Sequence, residues 1–122
     1  MPASPSPSVV PAPWSNAAFV DPEEAYVASV ASCHMLTFLW LAGRQGFQVD
    51  SYRDDVVGTM TKNERGVPWV SKITLRPIIE WSGAKTPTSA DLERLHHDAH
   101  EGCFIANSIK TEVVVVAREE LP

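Results

Sequence analysis

Asp21-Pro22-Glu23-Glu24 opens the run Ala25-Tyr26-Val27-Ala28-Ser29-Val30-Ala31-Ser32-Cys33-His34-Met35-Leu36-Thr37-Phe38-Leu39-Trp40-Leu41-Ala42-Gly43, and this stretch decides the fold. Asp21 reads as an N-cap, Pro22 as the first helical residue and Glu24 as the reciprocal partner of a capping box. The helix is predicted to run to Gly43 or Gly46, with Arg44 near its negative end. Its apolar residues, among them Val27, Val30, Leu36, Phe38, Leu39 and Trp40, lie on nearly every side. A helix apolar all round must be covered all round. One domain of 122 residues offers too little other material for that, so the stretch points towards a partner subunit.

The same run holds no Asp, Glu, Lys or Arg between Ala25 and Gly43, which raises the question of a bilayer span. A span needs about 20 predominantly apolar residues. Ser29, Ser32, His34 and Thr37 interrupt this one, and a buried core helix is the better reading. Met1 to Val20 has neither a basic start nor a continuous apolar stretch, so no secretory signal is read there. The expectation is a cytoplasmic protein with no membrane partner.

On the N-terminal side, residues 1–20 are rich in Pro, Ser and Ala and read as an extended arm ahead of a domain spanning 21–122. On the C-terminal side, Phe47 to Thr61 and Val67 to Trp81 have strand character around an Asn63-Glu64-Arg65-Gly66 turn, predicting a long antiparallel hairpin. Ile73, Leu75 and Ile79 share one face of its second strand, with Lys72, Thr74, Arg76 and Glu80 on the other. Pro77 removes a ladder donor and marks an edge or a bulge. Thr88 and Asp91 form a second capping box, opening a helix through Leu92, Leu95 and Ala99 that Gly102 bends or interrupts. Cys103 to Ile109 reads as a further helical turn or two, and Glu112 to Ala117 as a buried valine strand.

A formal charge of -5, with Lys and Arg scattered, argues against nucleic acid or an anionic membrane as partner. The chemistry-bearing residues are the two cysteines. In a reducing compartment a thiol pair is more often redox-active than a structural staple. Cys33 has small residues on its approach, Ala28, Ser29, Ala31 and Ser32, which let a helix or a substrate come near the sulfur. The plainer alternative is a cysteine filling a tight core. Glu23 precedes Cys33 by about 15 Å along an unbroken helix, so the two meet only across a neighbouring helix or a second subunit. Otherwise Glu23 simply complements the helix N-terminus. His96, His100 and Cys103 recur at helical spacing, with Cys33 or His34 as possible completion of a zinc site. Exposed histidines on an amphipathic helix are the alternative, and no metal is assigned.

Taken together, these residues resemble the OsmC/Ohr family of thiol-dependent peroxidases. The resemblance is carried by Asp21-Pro22-Glu23-Glu24 leading to Ala31-Ser32-Cys33, and by Ala99-His100-x-x-Cys103 followed by Asn107-Ser108. It runs from about Asp21 to the valine strand. It implies an α+β, OsmC-like fold, with a long buried central helix and an antiparallel sheet, in an intertwined homodimer. It further implies that Cys33 is the peroxidatic thiol and Cys103 the resolving one, joined in an intramolecular disulfide. Glu23 would be the carboxylate that helps position the guanidinium partner of the thiolate. Peroxides, organic or hydrogen peroxide, would be the substrates and a thiol the reductant, with no cofactor.

In that family the catalytic arginine lies on an N-terminal β segment well before the first cysteine. Arg44, Arg53, Arg65, Arg76 and Arg94 do not occupy its motif, and the sequence reads as lacking that segment. The expectation is a Cys33 pKa near the free value of about 8.5 and a weak peroxidase. Two other functions stay open: a non-catalytic binder of a small hydrophobic molecule, and a metal or redox sensor using the cysteines and histidines.

Overall fold

The first helix forms around its cap. Glu24 N–H donates to Asp21 Oδ1 at 2.8 Å, and Asp21 N–H donates back to Glu24 Oε1 at 3.3 Å. In the computed structural model, which describes residues 20–116, helix α1 spans Pro22–Arg44 and ends on Gln45, with Gly46 in the left-handed region at φ 83°. Apart from Val20, the arm read over residues 1–20 lies outside the described residues, as does Ala117 of the valine strand.

The strands follow as β1 (Gln48–Asp54), β2 (Val57–Lys62), β3 (Pro68–Leu75) and β4 (Pro77–Ser82). The expected long hairpin is present but broken in the middle. β2 pairs antiparallel with β3, whereas β1 pairs antiparallel with β4 in a separate two-stranded sheet. The break falls at Pro77, as its missing donor foretold. At the break the Arg76 N–H donates to the Asp54 carboxylate at 2.7 Å, and Arg76 Nε donates to the Asp55 carbonyl at 2.8 Å. These side-chain bonds replace the ladder bonds that the interruption removes.

Helix α2 spans Ser89–Gly102, with Thr88 and Asp91 bonded reciprocally as a capping box. A 3-10 turn over Ala106–Ser108 precedes β5 (Glu112–Val115). β5 runs parallel to β3, giving the order β2-β3-β5. Among the described residues the valine strand is therefore an edge: Val113, Val114 and Val115 are half-buried and Val116 is exposed, not the buried strand expected from four valines in a row. Tyr26 and Thr111 hydroxyls meet at 2.5 Å, and Thr111 donates to the Val70 carbonyl at 2.7 Å, pinning the start of β5 between α1 and β3.

The two sheets divide α1 between them. Val30 and Ala31, in its first half, pack with Ile73 and Leu75 of β3. Phe38 and Ala42, in its second half, pack with Phe47 and with Leu92, Leu95 and Ala99 of α2. Cys33 and His34 lie where these two clusters meet. β2 approaches α1 so closely that a Cβ on Gly58 would stand 2.6 Å from Val27 Cγ2. By length and composition α1 could cross a bilayer, yet it is the central layer of an α+β fold. Its coverage is incomplete, since Leu36 and Trp40, one turn apart, are 63% and 61% exposed.

Candidate active site

The two cysteines come from different elements. Cys33 sits in the middle of α1, and Cys103 is the residue on which α2 ends, with extended backbone at φ -74° and ψ 116°. Gly102 brings the end of α2 against α1: a Cβ there would lie 3.5 Å from Thr37 Cγ2, one turn beyond Cys33. Both thiols are free, and each perturbs the other's titration. Cys33 is half-buried whereas Cys103 is only 1% exposed.

Their environments push the two thiols apart. Burial raises the Cys33 pKa, as it does for any thiol leaving water. Nearby donors outweigh it, led by the Cys103 thiol and followed by the backbone N–H groups of Ile105 and Phe104, while the Thr37 hydroxyl donates to the Cys33 carbonyl at 2.9 Å. The net shift is downward from the ordinary thiol value. Thiolate stabilisation here comes from oriented donors, without a guanidinium among the described residues. Cys103 is shifted upward, first by burial and then by its bond to Cys33, against donation from the Ala106 N–H to its Sγ at 3.4 Å. The exposed thiol is thus the better nucleophile and the buried one stays protonated.

The turn after Cys103 is held by Asn107 and Ser108. Asn107 Nδ2 donates to the carbonyls of Glu101 at 2.9 Å and Cys103 at 2.8 Å. Ser108 Oγ donates to the Phe104 carbonyl at 2.7 Å. Phe104 itself projects outward, 83% exposed.

The histidines do not gather as metal ligands. His96 and His34 face each other in the core, with Nδ1 and Nε2 at 3.0 Å and rings 9° from parallel. Phe38 stacks on His96 at a centroid distance of 4.5 Å. Burial pushes both imidazoles down to about 4, and for His34 the neighbouring His96 and His100 add to that. Among the described residues no group of three His, Cys, Asp or Glu is arranged to hold a metal ion. The reading of exposed helix histidines is also corrected: His97 is exposed, but His96 is buried and His100 half-buried.

Glu23 stays half-buried at the first turn of α1, as one of the two acidic residues at the helix start. The helix between it and Cys33 is continuous, so one chain does not bring them together. Arg44 lies over the Trp40 ring at 4.7 Å and Arg94 is 3.9 Å from Asp91, both away from the sulfurs. Thr37 and the Phe104 and Ile105 amides were not singled out from sequence. Thr37 carries a signal in hindsight, standing four residues after Cys33 on the same helix face. Backbone amides carry none.

The model of the OsmC family, described as OsmC-like protein, matches residues 15–118. Among solved structures, an OsmC-like protein of unknown function from Vibrio cholerae is 54% identical. The match covers 94% of this chain and 75% of that one, with a TM-score of 0.91. The organic hydroperoxide resistance protein OhrB of Bacillus subtilis is 21% identical over 81% of this chain and 69% of its own, with a TM-score of 0.64. A putative osmotic stress induced and detoxification response protein from Psychrobacter arcticus is 15% identical, covering 93% and 77%, with a TM-score of 0.75. At those lower identities the likeness speaks for the fold alone. No curated protein matches the chain. With a family model spanning most of its length and a 54% identical relative of the same architecture, this chain belongs to the OsmC-like protein family.

Proposed function

We propose that the protein reduces organic or hydrogen peroxides through a Cys33 sulfenic acid and a Cys33–Cys103 disulfide. The observation that carries this reading is a half-buried Cys33 and a buried Cys103, both free, that perturb each other, the Cys33 thiol shifted down and the Cys103 thiol up. In the first step the Cys33 thiolate attacks one peroxide oxygen. An S–O bond forms, the O–O bond breaks, and the departing alkoxide takes up a proton to leave as an alcohol, or as water from hydrogen peroxide. In the second step the Cys103 thiol attacks the sulfenic sulfur, forming the disulfide and releasing water. Two equivalents of a cytoplasmic thiol, or one dithiol, then supply two electrons, returning both sulfurs to the reduced state and leaving as a disulfide. The naming of two structural relatives as organic hydroperoxide resistance proteins agrees with this chemistry.

Mild oxidation tests it. Peptide mapping after one equivalent of an alkyl hydroperoxide should find Cys33 linked to Cys103 within one chain. Bridging needs Cα atoms roughly 4.4–6.8 Å apart. Persistence of both free thiols alongside unconsumed peroxide would leave the family's fold here without its chemistry.

The same reading includes a homodimer. Leu36 and Trp40 form an uncovered apolar stripe on the face of α1 away from both core clusters. A second copy laid on that stripe would complete the covering that an all-round apolar helix requires. It is also the arrangement in which Glu23 of one copy has a route to Cys33 of the other. Obligate interfaces of this kind often bury more than about 2,000 Å². Sedimentation at micromolar concentration is expected to give twice the chain mass. A folded monomer there would remove both the dimer and the role of Glu23.

A further inference from the structure

We propose that the Cys33–Cys103 disulfide is opened at Cys33: the reducing thiol bonds to the Cys33 sulfur, and Cys103 departs as the leaving group. This rests on the disulfide of the proposed function and adds which of its sulfurs exchanges with the outside. Exchange proceeds through a mixed disulfide, and its course depends on which sulfur is attacked and on access to it. The incoming sulfur approaches along the S–S axis, from the side opposite the leaving sulfur. The two sulfurs are therefore attacked from opposite directions, and the surroundings of each decide which is reached.

The approach to Cys103 is closed. The residue is 1% exposed, and the turn that carries it is tied down on both sides. Its N–H donates to the His100 carbonyl at 3.3 Å. Its carbonyl accepts from Asn107 twice, from the backbone N–H at 3.1 Å and from Nδ2 at 2.8 Å, and Nδ2 also bonds the Glu101 carbonyl at 2.9 Å. A reductant reaches the Cys103 sulfur only if this turn opens. Cys33 is half-buried, and the helical turn before it carries small side chains. Ser32 is exposed, and Ser29 folds its hydroxyl back onto the Tyr26 carbonyl at 2.6 Å. Helix α2 ends on the other side of Cys33, since a Cβ on Gly102 would lie 3.5 Å from Thr37 Cγ2. Cys103 thus arrives from the Thr37 side and leaves the Ser29 side to an incoming thiol.

One consideration points the other way. A thiol of lower pKa leaves more readily, and Cys33 is shifted down whereas Cys103 is shifted up, first by burial. That preference is graded, while the covering of Cys103 keeps the reductant out of the attacking position. The Ala106 N–H, which donates to Cys103 Sγ at 3.4 Å, offsets it further by stabilising the charge that this sulfur acquires as it departs. The steps balance. A monothiol, as its thiolate, forms an S–S bond to Cys33 while the Cys33–Cys103 bond breaks, and Cys103 takes up the proton the monothiol gave up. A second thiolate then attacks the sulfur of the bound monothiol, releasing the Cys33 thiolate and a small disulfide.

The test uses the full chain, with the disulfide formed by diamide so that no peroxide chemistry is needed, and glutathione in excess as the reductant. Samples quenched in acid from the first milliseconds are unfolded, capped with N-ethylmaleimide and mapped by mass spectrometry. Only the ratio of the two arrangements is read, so a small trapped fraction suffices. Glutathione on the Cys33 peptide with maleimide on the Cys103 peptide is expected to exceed the reverse by about tenfold or more. Glutathione on Cys103, or on both peptides alike, overturns the proposal. In urea the covering is gone and the preference should vanish; its persistence there would assign it to local sequence and also overturn the proposal. Failure of diamide to link the cysteines removes the disulfide and this proposal together. Linking by diamide but not by an alkyl hydroperoxide, with glutathione on Cys33, upholds the proposal and removes the peroxidase reading, while linking by both with glutathione on Cys103 does the reverse.

Discussion

Cys33→Ser is expected to abolish peroxide turnover, with a loss on the order of a thousandfold or more, as follows when a covalent nucleophile is removed. A serine hydroxyl is not ionised near neutral pH and needs a base beside it to become a nucleophile. The hydrogen bonds that gather on Cys33 favour an anion at that atom, and a neutral hydroxyl gains little from them. Cys103→Ser should behave differently. Its sulfenic acid still forms, so one equivalent of peroxide per subunit disappears, and turnover then stalls until an external thiol is supplied. A coupled assay with an alkyl hydroperoxide, run with and without added thiol, separates the two variants. Equal residual turnover in both would mean that the peroxide is consumed elsewhere.

The expectation of a weak peroxidase rested on a Cys33 thiol left near its free pKa. The downward shift weakens that argument. An arginine is one way to hold a thiolate, and a rigid turn of backbone donors is another. The two differ in what mutation can reach: a guanidinium is removed by one substitution, whereas amides are disturbed only through the residues that aim them.

What the sequence made legible was local. The capping boxes at Asp21–Glu24 and Thr88–Asp91, the end of α1 at Arg44 and the interruption at Pro77 follow from chemistry confined to a few neighbouring residues. What it did not make legible was pairing at a distance. Pro77 announced a break, but nothing near it states that β1 returns to β4 while β2 and β3 join β5. The valine run announced a strand without saying that its partner is a single strand, β3, and so it was expected to be buried when it is an edge. The cysteines were singled out by residue type and motif, since a thiol is rare and reactive wherever it stands. The donors around Cys33 are backbone groups and a threonine, types too common to mark a site until the fold has brought them together. The histidines misled for a related reason. Helical spacing put His96 and His100 on one face, yet the partner of His96 is His34, in another helix.

That buried imidazole pair governs the protein's response to acid. His34 and His96 share one hydrogen bond between ring nitrogens, which requires one nitrogen protonated and the other bare. Adding protons places positive charge in the core beside Phe38, where His34 Nδ1 has no protein partner. Both imidazoles are held down to about 4, chiefly by burial, against 6.5 when exposed. A histidine whose folded pKa is depressed contributes fully above its unfolded pKa, and that contribution is lost as pH falls towards the folded value. For these residues the window runs from about pH 7 down to pH 4. At pH 5 each independent site would cost about 2 kcal/mol relative to pH 7, with at most about twice that for the pair because the two titrations are linked. Carboxylates such as Asp21 and Asp91, also held below their usual value, add their losses only lower down, near and below the ordinary carboxylate range. Urea unfolding at half-unit pH steps should therefore show stability falling between pH 7 and 5, before acid denaturation by carboxylates begins. Replacing both histidines, as in His34→Leu with His96→Leu, should flatten that part of the curve, whereas His97→Leu at an exposed position should not. A wild-type curve already flat between pH 7 and 5 would mean that the pair accepts protons without cost, and that the ring stack opens to water when it does.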